Sequence, residues 1–304
     1  MMRQSHDASS STRQESRRGF VIVAVLWLLA ALAALVTIFS VYLSNSARAL
    51  ALNDTGLKAE ALVSAGIELA AYRLLLTNER TRPPRGSFHV RLSGAKLAVS
   101  YVTEAARVDL NAAPKELLAG LLSEFGASED DAKTTADRIV AWRTHAAPNS
   151  AGNEDALYRA AGKSYSPRQA PFAHVNELAL VLGMTPTLVE RALPFVTVFN
   201  GTAGVDVLTA PPEVIAALPG MTPLILKDFL NTRETLPNDP AAITAALGAA
   251  GTKAAAMQKS KAYRILIRLR FPDRHETASE VVISLRGKED PYQVLSWQSA
   301  AARG

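Results

Sequence analysis

The five histidines, His6, His89, His145, His174 and His275, never fall at the H-x-x-x-H spacing by which one helix face offers two imidazoles to a metal. No serine occupies a Gly-x-Ser-x-Gly elbow. There is no cysteine, which removes thiolate nucleophiles, disulfides, and zinc or iron–sulfur sites held by sulfur. Trp142 could stack on a flat ligand, but in Ala136-Asp137-Arg138-Ile139-Val140-Ala141-Trp142-Arg143 it continues the apolar helix face of Ile139 and reads as core. His145 and His174 flank a loop and read as solvent-exposed. No enzyme is expected. The local chemistry that stands out is a junction, Arg17-Arg18-Gly19-Phe20, where two fixed charges and a glycine directly precede an apolar run. An ordinary secretory signal is cut after its apolar core at small residues, so this junction is of another kind.

The elements around that junction are set by composition. From Phe20 to Leu43 the chain is free of charge and, as a helix, spans about 36 Å at about 1.5 Å per residue, enough to cross a bilayer. Basic residues before it and mixed charges after it (Arg48, Asp54, Lys58) put the N-terminus in the cytoplasm and the rest outside. The chain has 304 residues, 48% of them hydrophobic, so a substantial core is expected. A net charge of +5 is too small by itself to argue for nucleic acid.

Helix-compatible sequence continues from the span to about Asn78, where Arg82-Pro83-Pro84 must end it, and Gly56 allows a bend. Alternating runs at 88–92 and 97–102, separated by Ser93-Gly94, predict a hairpin. Two more alternating runs lie at 263–271 and 280–286. One antiparallel sheet made from both ends of the chain, packed on the helix, accounts for them, with 104–260 as a helical insertion. Arg264, Arg268 and Arg270 alternate with apolar residues and read as the solvated face of their strand.

The insertion contains a repeat. Val108–Leu121 aligns without gaps on Val205–Leu218, matching Val, Asp, Ala, Pro, Glu, Ala and Leu. Pro114 and Pro211 suit a first helical turn, and Glu116 and Glu213 place negative charge near the positive end of the helix dipole. Gly183-Met184-Thr185-Pro186 and Gly220-Met221-Thr222-Pro223 mark tight turns between helices. These units resemble helix-hairpin-helix or SAM-like modules.

The Arg-Arg-Gly-Phe junction resembles the type IV prepilin signal, and the order of motifs resembles the K-type minor pseudopilin of type II secretion, general secretion pathway protein K. The pieces are Arg18-Gly19-Phe20, Val108-Asp109-Leu110-Asn111, Ala141-Trp142-Arg143, Ala170-Pro171-Phe172, the Gly-Met-Thr-Pro turns, Ala210-Pro211-Pro212-Glu213 and Tyr292-Gln293-Val294-Leu295-Ser296-Trp297. The resemblance implies an α+β fold: a pilin-like long N-terminal helix packed on a small antiparallel sheet, with a large helical insertion. The implied segments are a prepilin leader at 1–19, a transmembrane segment at 20–43, stem and first strands at 44–103, SAM-like helical units at 104–200 and 201–260, and C-terminal strands at 261–304. It further implies cleavage between Gly19 and Phe20 by a prepilin peptidase, and N-methylation of Phe20. Most pilins carry glutamate five residues after the cut, where Ala24 stands here, a habit of the K class. A single-pass inner-membrane protein with its bulk in the periplasm follows, at the tip of the pseudopilus, with other minor pseudopilins and the inner-membrane assembly platform as partners. The function implied is filament initiation and export of proteins across the outer membrane.

Calcium is the one ligand the resemblance offers, because the family carries it in the helical domain. Gly152-Asn153-Glu154-Asp155, in a loop from Thr144 to Tyr165, supplies hard oxygen donors, and Glu154 and Asp155 are the candidate ligands. The spacing fits no EF-hand, and Thr144 and His145 stand where the family usually offers acids, so solvated carboxylates are the competing reading.

The rival function is a membrane-anchored helix-hairpin-helix DNA receptor of the competence type. Such a module holds phosphate through backbone N–H groups of a Gly-x-Gly turn with a basic residue close behind. Here the second glycine is Thr185 or Thr222, the next residue is a proline without an N–H, and the nearest bases are Arg191 and Lys227. No nucleic acid is expected as a partner.

Overall fold

The computed structural model describes residues 12–79, 81–145, 153–237, 239–248, 250, 260–287 and 289–300, of which 12–19, 45–55 and 153 are described by their backbone. Most of the 1–19 leader therefore lies outside the described residues. The first helix, α1 (Thr12–Leu76), contributes to two compact units, one ending at Ala61 and one beginning at Leu62.

In the first unit, Phe20–Ser44 has a mean hydropathy of 2.9 and none of it is buried. A helix that is apolar all round and packed on nothing is matched to a hydrocarbon solvent, and its 25 residues are enough to cross one.

The second unit begins where α1 becomes one-sided. Val63, Ile67, Ala70 and Leu74 recur at helical spacing and are buried, while Glu68, Tyr72 and Leu76 are exposed. The helix ends at Leu76, ahead of Pro83-Pro84, and Arg82 Nε caps it by donating to the Leu74 carbonyl at 2.8 Å. The buried stripe lies on an antiparallel sheet of five strands in the order β1 (Arg85–Leu92), β2 (Ala95–Thr103), β5 (Ala262–Arg270), β6 (Glu276–Leu285), β7 (Tyr292–Ala300). Gly66 meets Ile267 of β5, and the Arg73 guanidinium sits 3.9 Å above the Phe88 ring. Ser93 and Gly94 both take positive φ, the two-residue primed turn that matches strand twist.

The α+β class and both expected hairpin strands are thus present, and the sheet also holds a strand absent from the sequence reading. β7 is an edge strand whose partner register slips at Val282/Ile283, so its apolar residues do not alternate cleanly. One reading is corrected. Arg264 does not lie on a solvated face, because the insertion covers that part of β5 and an ion network takes up its charge; Arg268 and Arg270 are exposed as expected.

Between β2 and β5 run a short 3-10 turn (Glu104–Ala106), β3 (Val108–Asp109), α2 (Lys115–Glu124), α3 (Glu129–Arg143), α4 (Asn153–Ala160), a 3-10 segment (Val175–Leu180), α5 (Pro186–Ala192), β4 (Val196–Thr197), α6 (Pro212–Ala216), α7 (Pro223–Thr232) and α8 (Pro240–Leu247). β3 and β4 pair in parallel. One hydrophobic cluster runs from Val108 to Ala250 through both halves of the insertion. Leu118 and Ile215, equivalent in the repeat, are both buried there, and so are Leu121 and Leu218. Gly120 and Ala217 are also equivalent, and they touch: a Cβ on Gly120 would collide with the Ala217 carbonyl oxygen. The two repeats therefore pack on each other through corresponding surfaces. Pro114 and Pro211 sit at the N-caps, one residue ahead of the first turn expected for them.

Candidate functional site

The processing residues Gly19 and Phe20 are consecutive in α1, and Phe20 is exposed. Ala24 continues the same exposed apolar surface, with no carboxylate in the span.

The two Gly-Met-Thr-Pro turns have the geometry of helix starts. Gly183 and Gly220 take φ of 91° and 81°, which a side chain would strain. Thr185 and Thr222 are N-caps whose hydroxyls accept from the Leu188 and Ile225 N–H groups, and Pro186 and Pro223 follow. The N–H groups a phosphate would use are thus capped or missing. Arg191, the base nearest the first turn, donates to the Phe125 carbonyl at 2.8 Å and ties α5 to the C-terminal end of α2.

The motifs scattered through the first half of the insertion converge. Asp109 is buried and accepts from the N–H groups of Asn111 (2.7 Å) and Gly201 (2.6 Å), joining the start of the first repeat to the chain that leads into the second. Burial raises its pKa, against the pull of those N–H groups and of Arg143. Asn111 Oδ1 accepts from the Phe172 N–H (2.7 Å) and its Nδ2 donates to the Phe172 carbonyl (3.0 Å). Arg143 donates to the carbonyls of Leu110 (2.5 Å) and Ala113 (2.6 Å). Trp142 is buried, stacks on Phe172 and donates to Glu177 at 3.3 Å, so the core reading holds. The second repeat copies the pattern: Asp206 accepts from the Leu208 N–H, and Arg233 donates to the carbonyl of Ala210, the counterpart of Ala113. His145 is exposed as expected, but His174 is half-buried rather than exposed, because it caps the 3-10 segment and lies 3.0 Å from Gln298 of β7.

Sequence reasoning missed the join between insertion and sheet. Glu104 is 0% exposed and takes Arg264 Nε at 2.8 Å and Nη2 at 3.2 Å, the Thr197 hydroxyl, and Arg107 at 3.6 Å; Arg264 also pairs with Glu280. Burial works against the Arg264 charge, but Glu104 and Glu280 outweigh it and hold its pKa above the ordinary value. Burial, and then the charge of Arg264, lower Arg107. Glu104 and Arg264 are 160 residues apart, so no local pattern pairs them.

Glu154 and Asp155 open α4 and are half-buried, so this part of the expected loop is helical; residues 146–152 lie outside the described residues. Glu154 Oε2 and Asp155 Oδ1 are buried and accept no hydrogen bond among the described residues, a want that a hard cation fits. No group of three metal-binding side chains occurs among the described residues.

Residues 95–201 match the family model described as "Type II secretion system (T2SS), protein K". No curated protein matches the chain. Among solved structures it is similar to a chain of the GspK–GspI–GspJ complex of the type 2 secretion system of enterotoxigenic Escherichia coli. The TM-score is 0.63 at 17% identity, over 82% of this chain and 98% of that one. The likeness to the K class is borne out, with the junction at Gly19-Phe20 lying outside the residues that the family model matches.

Proposed function

We infer that this chain is a type II secretion minor pseudopilin of the K class, and that it works at the tip of the periplasmic pseudopilus and helps to start the filament. The observation that carries the tip position is the helical insertion at 104–260, fastened to one sheet face by a buried ion network. Such bulk fits one terminal copy and would obstruct a repeating shaft. Ala24 supports the same place, since the carboxylate that pilin-like subunits direct to a neighbour's N-terminal amine is missing. The work is assembly rather than catalysis.

In this reading a prepilin peptidase cuts between Gly19 and Phe20, the new N-terminus is methylated, and Phe20–Ser44 anchors the protein in the inner membrane with its bulk periplasmic. The E. coli complex joins GspK to GspI and GspJ. The corresponding minor pseudopilins are the proposed partners here, with the inner-membrane assembly platform. DNA is disfavoured by the capped turns and by the use of Arg191 inside the fold. Calcium would be held by Glu154 and Asp155.

Quantitative labelling of isolated filaments tests the reading, with about one copy per filament expected and distribution along the shaft excluding the tip. Mass spectrometry of the N-terminus should find a methylated Phe20, and an intact leader would exclude prepilin processing. Calcium should raise the melting temperature of the wild type but not of Glu154→Ala/Asp155→Ala, and equal curves would exclude the ion.

A further inference from the structure

The side of the sheet away from α1 has two ends. One is covered through Glu104 and Arg264, while the other is open. Strand register aligns Arg91 of β1, Lys96 of β2, Arg270 of β5 and Glu276 of β6 in one row, with His89, Ala98, Arg268 and Ala278 in the next. All of these but Ala278 line a shallow depression of about 480 Å³. Glu276 is its one carboxylate, and it is taken by Arg270. Arg91, Lys96 and Arg268 are exposed and have no ion-pair partner among the described residues.

Sheet stability does not explain this arrangement, since like charges directly opposite across strands are destabilising. Protection of a sheet edge explains Arg91, because β1 is an edge strand. It does not explain Lys96 and Arg268, which lie on interior strands. Positive charge held against its own repulsion on a concave face is complementary to carboxylates.

We propose that the open end of this face docks an acidic segment of a protein partner, with carboxylates placed against Arg91, Lys96 and Arg268. A protein fits better than a nucleic acid, because the patch spans three strands and lacks the aromatic platform on which bases stack. The proposal goes beyond the K-class reading and does not depend on it.

The test uses the full chain in detergent micelles and a fluorescent polyglutamate peptide, followed by anisotropy at low ionic strength. Binding should weaken with added salt. Arg91→Ala/Lys96→Ala/Arg268→Ala should weaken it about tenfold, from three exposed pairs of about twofold each. The control Arg159→Ala/Lys163→Ala/Lys227→Ala, which removes equal charge from the insertion surface, should bind like the wild type. If the triple variant loses its melting transition, the milder Arg268→Gln should still weaken binding about twofold. Equal affinity of wild type and patch variants overturns the proposal. So does duplex DNA or an anionic phosphatidylglycerol vesicle that binds more tightly through the same three residues.

Discussion

Arg264 and Arg268 stand four residues apart on β5 and lie on the same side of one sheet, yet one sits in a buried network and the other in solvent. The strand treats them alike, since both occupy outward positions of one pleat. What separates them is the insertion, which brings Glu104 and Thr197 over the Arg264 end and leaves the Arg268 end open. Alternation in a strand therefore shows which side a residue takes and is silent on whether another part of the chain covers it. The covered end joins two parts of the molecule, and the open end is free to join another molecule.

The largest expected effect comes from breaking the covered end. Glu104→Ala removes the carboxylate that Arg264 and Arg107 share and leaves two guanidiniums beneath the insertion, a loss of about 3–5 kcal/mol. Replacing both charges, as Glu104→Leu/Arg264→Met, should recover part of that loss, because the most buried pair is removed together, while Arg107 and Glu280 each lose one partner. Urea unfolding of the wild type and the two variants checks the order. A double variant no better than Glu104→Ala would show that stripping Arg107 and Glu280 of a partner costs as much as stranding Arg264.

Much of the fold was legible. The span, the hairpin at Ser93-Gly94, the helical insertion and the Gly-Met-Thr-Pro turns follow from local rules, and the structure keeps them. β7 was not legible, because an edge strand with a register slip has no clean period. The site was legible in kind but not in connection. Asp109, Asn111, Trp142, Arg143 and Phe172 were each quotable, but their convergence depends on hydrogen bonds across 30 to 92 residues, which no spacing rule reports. Glu104 gave no signal at all, since a lone acid after a strand looks like surface.

The next effect concerns the rigidity of the covering insertion. Gly120 packs directly on the Ala217 carbonyl, so Gly120→Ala must push the two repeats apart, at about 1–3 kcal/mol. If that contact holds the insertion in shape, hydrogen exchange should quicken in α2 and α6 while β1 and β2 at the open end keep their protection. Uniform quickening would mean that the ends are not independent.

A smaller effect is read from alkaline pH. Burial pushes Tyr263, next to Arg264 on β5, up to about 12, while an unfolded tyrosine titrates near 10. Between those values the unfolded chain has lost a proton that the folded chain keeps, so stability falls as pH rises through the window and is complete below it. Tyr263→Phe should flatten the fall from about pH 10 to 12 in a series of urea melts. An unchanged slope would assign the fall to other groups, Tyr292 first, which burial and its hydrogen bond to Glu68 also raise to about 12.

The smallest effect is the most discriminating, because it concerns the arginine that resembles Arg264 in sequence. Arg268→Ala should change stability by no more than about 0.5 kcal/mol, since the side chain is exposed and has no ion-pair partner among the described residues to abandon. Its removal also relieves repulsion from Lys96 and Arg270, which keep their charges in the neighbouring row. A slight gain in stability together with weaker binding of an acidic peptide is the pattern expected of a residue kept for a partner. A loss approaching that of Glu104→Ala would mean that the open end is also covered in the working protein, and would erase the distinction between the two ends of β5.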